Sequence, residues 1–91
     1  MIQVFCIQFV GEPLLLHESE FGFFRNEYVL ALSEKRAIEI ARARVMKRLE
    51  RKKIRFIEGS PFTLQVESVK PGMPIWRIFR NEGFLFFPVE E

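Results

Sequence analysis

The stretch "SEKRAIEIARARVMKRLERKK", residues 33 to 53, decides the fold because it predicts one long helix. No glycine or proline interrupts the chain from Glu34 until Gly59. Ser33 is a predicted N-cap, since its hydroxyl can accept a hydrogen bond from a backbone N–H in the first turn. The helix spans about twenty residues, or roughly 30 Å. One stripe of its surface is apolar and predicts packing on a core: Ala37, Ile38, Ala41, Val45 and Leu49.

The same stretch holds nine of the chain's fourteen Lys and Arg residues. From Ser33 to Arg55 there are ten basic residues and three glutamates, a net charge of +7. The remainder carries four basic residues and nine glutamates, a net charge of −5, so the whole chain has only +2. Such a cationic element can attract either nucleic acid or an acidic surface of a second copy.

Four cations beside the apolar stripe could neutralise phosphates along one helix face. They are Arg44, Lys47, Arg48 and Arg51. Nucleic-acid binding is nevertheless the alternative interpretation here. The net charge is small, the strands lack an RNA-binding signature, and a charged outer face is typical of any amphipathic helix.

Two strands are predicted before the helix. Residues 2 to 10, "IQVFCIQFV", are apolar on both faces apart from two glutamines, which is typical of a central strand. Residues 21 to 32, "FGFFRNEYVLAL", form the second strand, and residues 14 to 20 are interpreted as a connection or a frayed continuation.

After the helix, "FTLQVESV" (62 to 69) alternates apolar and polar residues and predicts a strand with one wet face. The end of the chain predicts a hairpin of residues 75 to 79 and 84 to 87 around a turn at Asn81–Gly83. An alternative is that 75 to 81 is a loop or a helical turn and that only the final run is a strand.

These elements predict a single α+β domain over residues 1 to 91. Its architecture is a small antiparallel sheet, in the order β-β-α-β-(β)-β, with one long helix packed on one face.

One helix cannot cover both faces of a sheet whose strands are apolar on both sides. Because bare patches of large apolar side chains are unusual on monomers, the sequence predicts a symmetric homodimer acting through protein association. The sequence does not decide which of the two alternating sets of strand residues faces the helix. The candidate interface residues are Phe5, Phe9, Trp76, Phe84 and Phe86.

The residue inventory argues against catalysis and metal binding. The chain has one histidine, one cysteine and no aspartate, so a nucleophile–base–orienter triad and a zinc site both lack residues. His17 is interpreted as a solvated loop residue and Cys6 as a small buried strand residue. The five glycines are isolated and form no phosphate loop. We therefore expect a non-enzymatic protein without a cofactor or metal.

A lone cysteine is typical of a reducing compartment. The opening "MIQVFCIQFV" has no basic n-region or cleavage site and is too short to span a bilayer, so the expected location is the cytoplasm, without membrane contact. A third interpretation is a small-molecule-binding domain with an aromatic pocket between sheet and helix.

Three segments resemble a group of short bacterial proteins of uncharacterised function: "GFFRNEYVLALSEKRAIEIA", "FTLQVESV" and "GFLFFPVEE". The shared features are an aromatic strand leading into an Ala-rich helix and a terminal Gly-Phe…Pro-x-Glu strand. The resemblance covers about two-thirds of the chain and concerns structural types, so it implies a fold of that kind and no activity. This helix is more basic than the group's pattern, and the acidic residues before its third strand are missing here.

Overall fold

The computed structural model describes residues 2–16, 19–52, 55–56, 61–79 and 83–88 of the 91-residue chain. It confirms the predicted fold class, an antiparallel sheet with one long helix against one face. The elements in chain order are β1 (Gln3–Leu16), β2 (Ser19–Ala31), α1 (Glu34–Arg51), β3 (Arg55–Phe56), β4 (Thr63–Met73), a 3₁₀ helix (Ile75–Phe79) and β5 (Leu85–Pro88).

Strand β1 is the centre of the sheet. One edge of β1 pairs with β2. The other edge pairs first with β4 and then, near the end of β1, with β3. Strand β5 pairs with the beginning of β2, and every pairing is antiparallel. Since β2 leads directly into α1, the helix folds back over the sheet and contacts β2, β1 and β4.

The hairpin of β1 and β2 is longer than the sequence predicts. The stretch interpreted as a connection continues both strands, with Leu14 paired to Phe21 and Leu16 to Ser19. A register shift between Gly11 and Leu14 separates this extension from the rest of the ladder. Pro13, which has no N–H to donate, lies in that shift, a position where sheets tolerate proline. His17 lies outside the described residues.

The core lies between α1 and one face of the sheet. Ala37, Ala41 and Val45 of the predicted apolar stripe are fully buried, and Leu49 is 1% exposed. The two alanines allow the helix backbone to approach the sheet closely. The strand residues beneath the helix form the rest of the core: Phe5, Ile7, Phe9, Leu14, Phe23, Val29, Ala31 and Leu64.

The predicted N-cap is confirmed: the Ser33 side chain accepts a hydrogen bond of 3.2 Å from the backbone N–H of Arg36. We expect Ser33→Ala to lower the free energy of unfolding by about 1 kcal/mol, because this N–H then loses its acceptor. Urea denaturation measures the change. Ser33→Asp is the control, since it restores an acceptor and should keep wild-type stability. Equal losses in the two variants would contradict the capping role.

The predicted strand at 75 to 79 is wrong, and the alternative of a helical turn is what the structure shows over these residues. Proline at position 74 explains the difference, because its fixed φ starts a turn. Its carbonyl accepts a hydrogen bond of 3.0 Å from the backbone N–H of Arg77. The predicted turn at 81 to 83 lies outside the described residues except for Gly83. The predicted final strand is present as β5.

Candidate functional site

The sheet face turned away from α1, called here the second face, carries no charge on the eight residues at the middle of its two central strands. In β1 and β2, the pairing register and the alternation of side chains between the two faces show which residues belong to the second face. Two of its residues are exposed apolar side chains, Phe24 at 37% and Leu30 at 39%. Its eight central residues are Val4, Cys6, Gln8 and Val10 of β1, facing Leu30, Tyr28, Asn26 and Phe24 of β2.

Strand β5 extends the apolar character of the second face to one edge. Leu85 pairs with Phe24 in the register and is 69% exposed. The ring of Phe87 lies 4.9 Å from the ring of Phe24. This end of the second face therefore presents aromatic and aliphatic groups from two neighbouring strands.

The opposite end of the second face is covered by the chain itself. The 3₁₀ helix contacts β1 and β2, and Val4 and Tyr28 are buried there, outside the main core cluster. Two apolar residues of the same 3₁₀ helix stay exposed, Ile75 at 65% and Trp76 at 58%. The chain thus covers part of the second face and adds new apolar surface beside it.

The five predicted interface residues do not lie together. Phe5 and Phe9 are 2% and 0% exposed in the core beneath α1, so neither offers surface to a partner. Phe84 is half-buried and packs against the same core, and Phe86 is 38% exposed beside it. Only Trp76 belongs to the segment that lies over the second face. The sequence left open which set of alternating strand residues faces the helix, and the structure turns the set that contains Phe5 and Phe9 toward α1.

The four cations predicted on the helix are divided between two adjoining surfaces. Arg44 and Lys47 line a shallow groove of about 400 Å³ on the outer side of α1. The guanidinium of Arg44 also donates to the carbonyl of Tyr28 at 3.4 Å, which ties the helix to β2. Arg48 and Arg51 line a second space at the end of the helix.

That second space, the basic cleft, has a volume of about 260 Å³ and lies between α1, β2 and the residues before β5. Its lining contains four cations and one aromatic ring: Arg25, Arg48, Arg51, Lys52, Gly83 and Phe84. Arg25 is 4% exposed, which is rare for an arginine without a specific arrangement around it.

One carboxylate holds the inner wall of the basic cleft. The Glu27 carboxylate lies 2.7 Å from the Nε of Arg25 and 3.4 Å from the Nε of Arg48. Glu27 is itself 4% exposed. The carboxylate therefore connects a guanidinium of the sheet to a guanidinium of the helix and fixes both at the cleft.

Two cations lie close to the ring of Phe84. The guanidinium carbon of Arg25 is 4.7 Å from the ring centroid, and the ammonium of Lys52 is 5.7 Å from it. Such contacts stabilise cations by about 0.5–2 kcal/mol. Phe84 therefore organises positive charge rather than offering a free ring to a partner.

Sequence reasoning missed Arg25 and Lys52 as members of this site. The helical stripe alone identifies Arg48 and Arg51, because their spacing follows from the sequence. Arg25 joins them only because β2 passes beneath the end of α1. The available signal was that Arg25 belongs to the same alternating set of strand residues as the apolar Phe23 and Val29.

Cys6 is half-buried within β1, and among the residues that the structure describes no group of three or more His, Cys, Asp or Glu residues could hold a metal ion. The aromatic pocket of the third interpretation would lie where Phe9 and Phe23 are fully buried. Side chains of the core occupy that position.

No protein-family model, curated protein or solved structure matches this chain. Within the described part of the chain, no helix combines the length and the apolar character needed to cross a membrane.

Proposed function

We propose that this chain is a non-enzymatic association domain that forms a homodimer through the second face. One observation carries the proposal: the central residues of that face are uncharged, and large apolar side chains stay exposed on and beside it. The expected setting is the cytoplasm, where a lone Cys6 stays reduced.

Charge favours a second copy of the chain as the occupant of this face. Residues 33 to 55 carry +7, so two copies meeting through α1 would repel each other. The second face lies on the other side of the sheet, and its eight central residues carry no charge. Lys70 of β4 pairs with Cys6 at the border of this uncharged patch. A two-fold axis through it brings identical uncharged patches together, which is the usual geometry of a homodimer.

The polar residues of the second face fit this arrangement. Gln8 and Asn26 pair across the two central strands. Their amides have both donors and acceptors, so each can match the same residue type in a second copy. Phe24 and Leu85 supply the apolar part, and a large apolar side chain contributes about 1.5–3 kcal/mol on full burial.

We expect Phe24→Glu to convert the dimer to a monomer, because it places a carboxylate near its counterpart in an apolar contact. Size-exclusion chromatography with light scattering at tens of micromolar measures the mass. Met46→Glu is the matched control, since Met46 has the same 37% exposure but lies on α1. The control should keep the dimer.

Two results would count against the proposal. A wild-type chain that stays monomeric at that concentration removes the homodimer altogether. Loss of the dimer in both glutamate variants would place the contact elsewhere or indicate a general charge effect. Circular dichroism of each variant shows that the fold is retained.

A further inference from the structure

The basic cleft brings together cations that are distant in the sequence. Arg25 comes from β2, whereas Arg48 and Arg51 come from the last turns of α1. Glu27 is the carboxylate that contacts its inner wall, and it engages Arg25 and Arg48. In the described ranges, Arg51 and Lys52 have no carboxylate partner.

Helix geometry explains only part of this arrangement. Basic residues in a last turn are stabilised by the helix dipole, and this accounts for Arg51 and Lys52 as single surface residues. It does not account for Arg25, which lies on the sheet, is held by Glu27 at 2.7 Å and lines the same cleft. Concave sites with one sign of charge concentrate ions of the opposite sign.

We propose that the basic cleft binds a backbone phosphate of a nucleic-acid strand. Arginine guanidinium groups present planar pairs of donors that match phosphate oxygens, and Lys52 adds a point charge. A compact phosphate fits this space better than a base does. The cations beside Phe84 at 4.7 and 5.7 Å occupy the surroundings of the ring that a base would need for stacking.

A strand is favoured over a small phosphate compound because the positive surface continues beyond the cleft. Arg36, Arg44 and Lys47 line the adjoining groove on the same side of α1, together with one carboxylate, Glu39. The 18 residues of α1 extend over about 27 Å, the length of roughly eight stacked nucleotides. A phosphate in the cleft therefore places the following phosphates beside further cations.

Fluorescence anisotropy with a labelled single strand of about 12 nucleotides tests this site, at about 50 mM and about 200 mM salt. The test variant is Arg51→Glu/Lys52→Glu in the full chain. The control is Lys35→Glu/Lys70→Glu, which changes the net charge equally at exposed positions outside the cleft. Because Lys70 pairs with Cys6 of the second face, light scattering measures the mass of both variants, and their affinities are compared in the same oligomeric state. Circular dichroism verifies that both variants fold.

We expect the cleft variant to bind about tenfold or more weakly at the lower salt, and the control to stay within about threefold of wild type. The slope of log affinity against log salt should also fall by about 1.4, or about 0.7 for each lost phosphate contact. Equal losses in the two variants would overturn the site, since net charge alone would then explain the binding.

Two further outcomes would overturn the proposal. The first is absence of strand binding by the wild-type chain at about 50 mM salt. The second is equal competition, mole for mole, by a nucleoside monophosphate and by unlabelled strand. The adjoining cations would then contribute nothing to the affinity for the strand. The dimer measurement is separate, so failure of either proposal can be recognised without the other.

Discussion

Glu27→Gln is expected to lower the free energy of unfolding by about 3–5 kcal/mol. The glutamine has nearly the same shape but no charge, so Arg25 loses the carboxylate that lies 2.7 Å from its Nε. Arg25 and Glu27 have side chains 3% and 5% exposed, and solvent can replace little of what is lost. Arg48 loses its contact with the same carboxylate. Urea denaturation followed by circular dichroism measures the change.

The control for this prediction is Glu39→Gln. Glu39 pairs with Arg36 at 3.2 Å, but these side chains are 51% and 67% exposed. Water and salt screen such a pair, and its removal should cost less than about 1 kcal/mol. If both variants lose the same small amount, the Arg25–Glu27 pair behaves as a surface pair and its burial has no energetic consequence.

A double variant separates the buried pair from the loss of one partner. Arg25→Met/Glu27→Leu removes both charges and leaves apolar side chains at both positions. We expect it to recover a large part of the stability lost in Glu27→Gln, because no guanidinium then remains buried opposite a neutral group. A double variant less stable than Glu27→Gln would show that the ion pair itself stabilises the fold.

The position and the buried side of the helix follow from local sequence. The spacing of the predicted apolar stripe, residues 37 to 49, predicts the buried side of α1, although Ile38 of that stripe is only half-buried. Ser33 predicts the beginning of the helix. Both are confirmed because helix period and capping depend on neighbouring residues only. The overall α+β arrangement follows from the order of such elements.

Long-range pairing could not be predicted in the same way. Leu14 has no alternating pattern around it, yet it continues β1 because Phe21 and Phe56 pair with it from two other strands. Residues 75 to 79 have a strand-like composition but form a 3₁₀ helix after Pro74. In each case a distant partner or a single backbone constraint outweighs the local propensity.

The basic cleft and the second face likewise combine features that local sequence predicts with features that it does not. Helical spacing places Arg48 and Arg51 near each other, and the sequence alone identifies them. The parity of β2 cannot be predicted, since Phe24 and Leu30 look more apolar than Arg25 and Glu27. The structure turns the charged pair toward α1, where Arg48 contacts Glu27. A buried ion pair therefore reverses the orientation that hydrophobicity alone favours, and this places Phe24 on the second face.

The second large effect is expected at Phe23, which is fully buried and lies at the centre of an aromatic cluster. Its ring centroid lies 4.9 Å from that of Phe84, 6.3 Å from that of Phe62 and 6.4 Å from that of Phe86. Phe23 lies in β2 and Phe62 just before β4, whereas Phe84 lies just before β5 and Phe86 within it, so a single ring connects three parts of the sheet. Gly11 pairs with Phe23 in the register, and a Cβ at Gly11 would overlap this ring.

Phe23→Ala should therefore lower the free energy of unfolding by about 3–5 kcal/mol, through lost burial and the cavity that remains. Phe23→Leu, which fills part of the space, should lose less than half of that amount. Met46→Ala is the control on the outer side of α1 and should change stability by about 0.5 kcal/mol or less. Guanidinium denaturation of the four proteins gives the comparison. A loss in Phe23→Ala no larger than that in Met46→Ala would mean that the aromatic cluster does not hold β5 and β4 to the sheet.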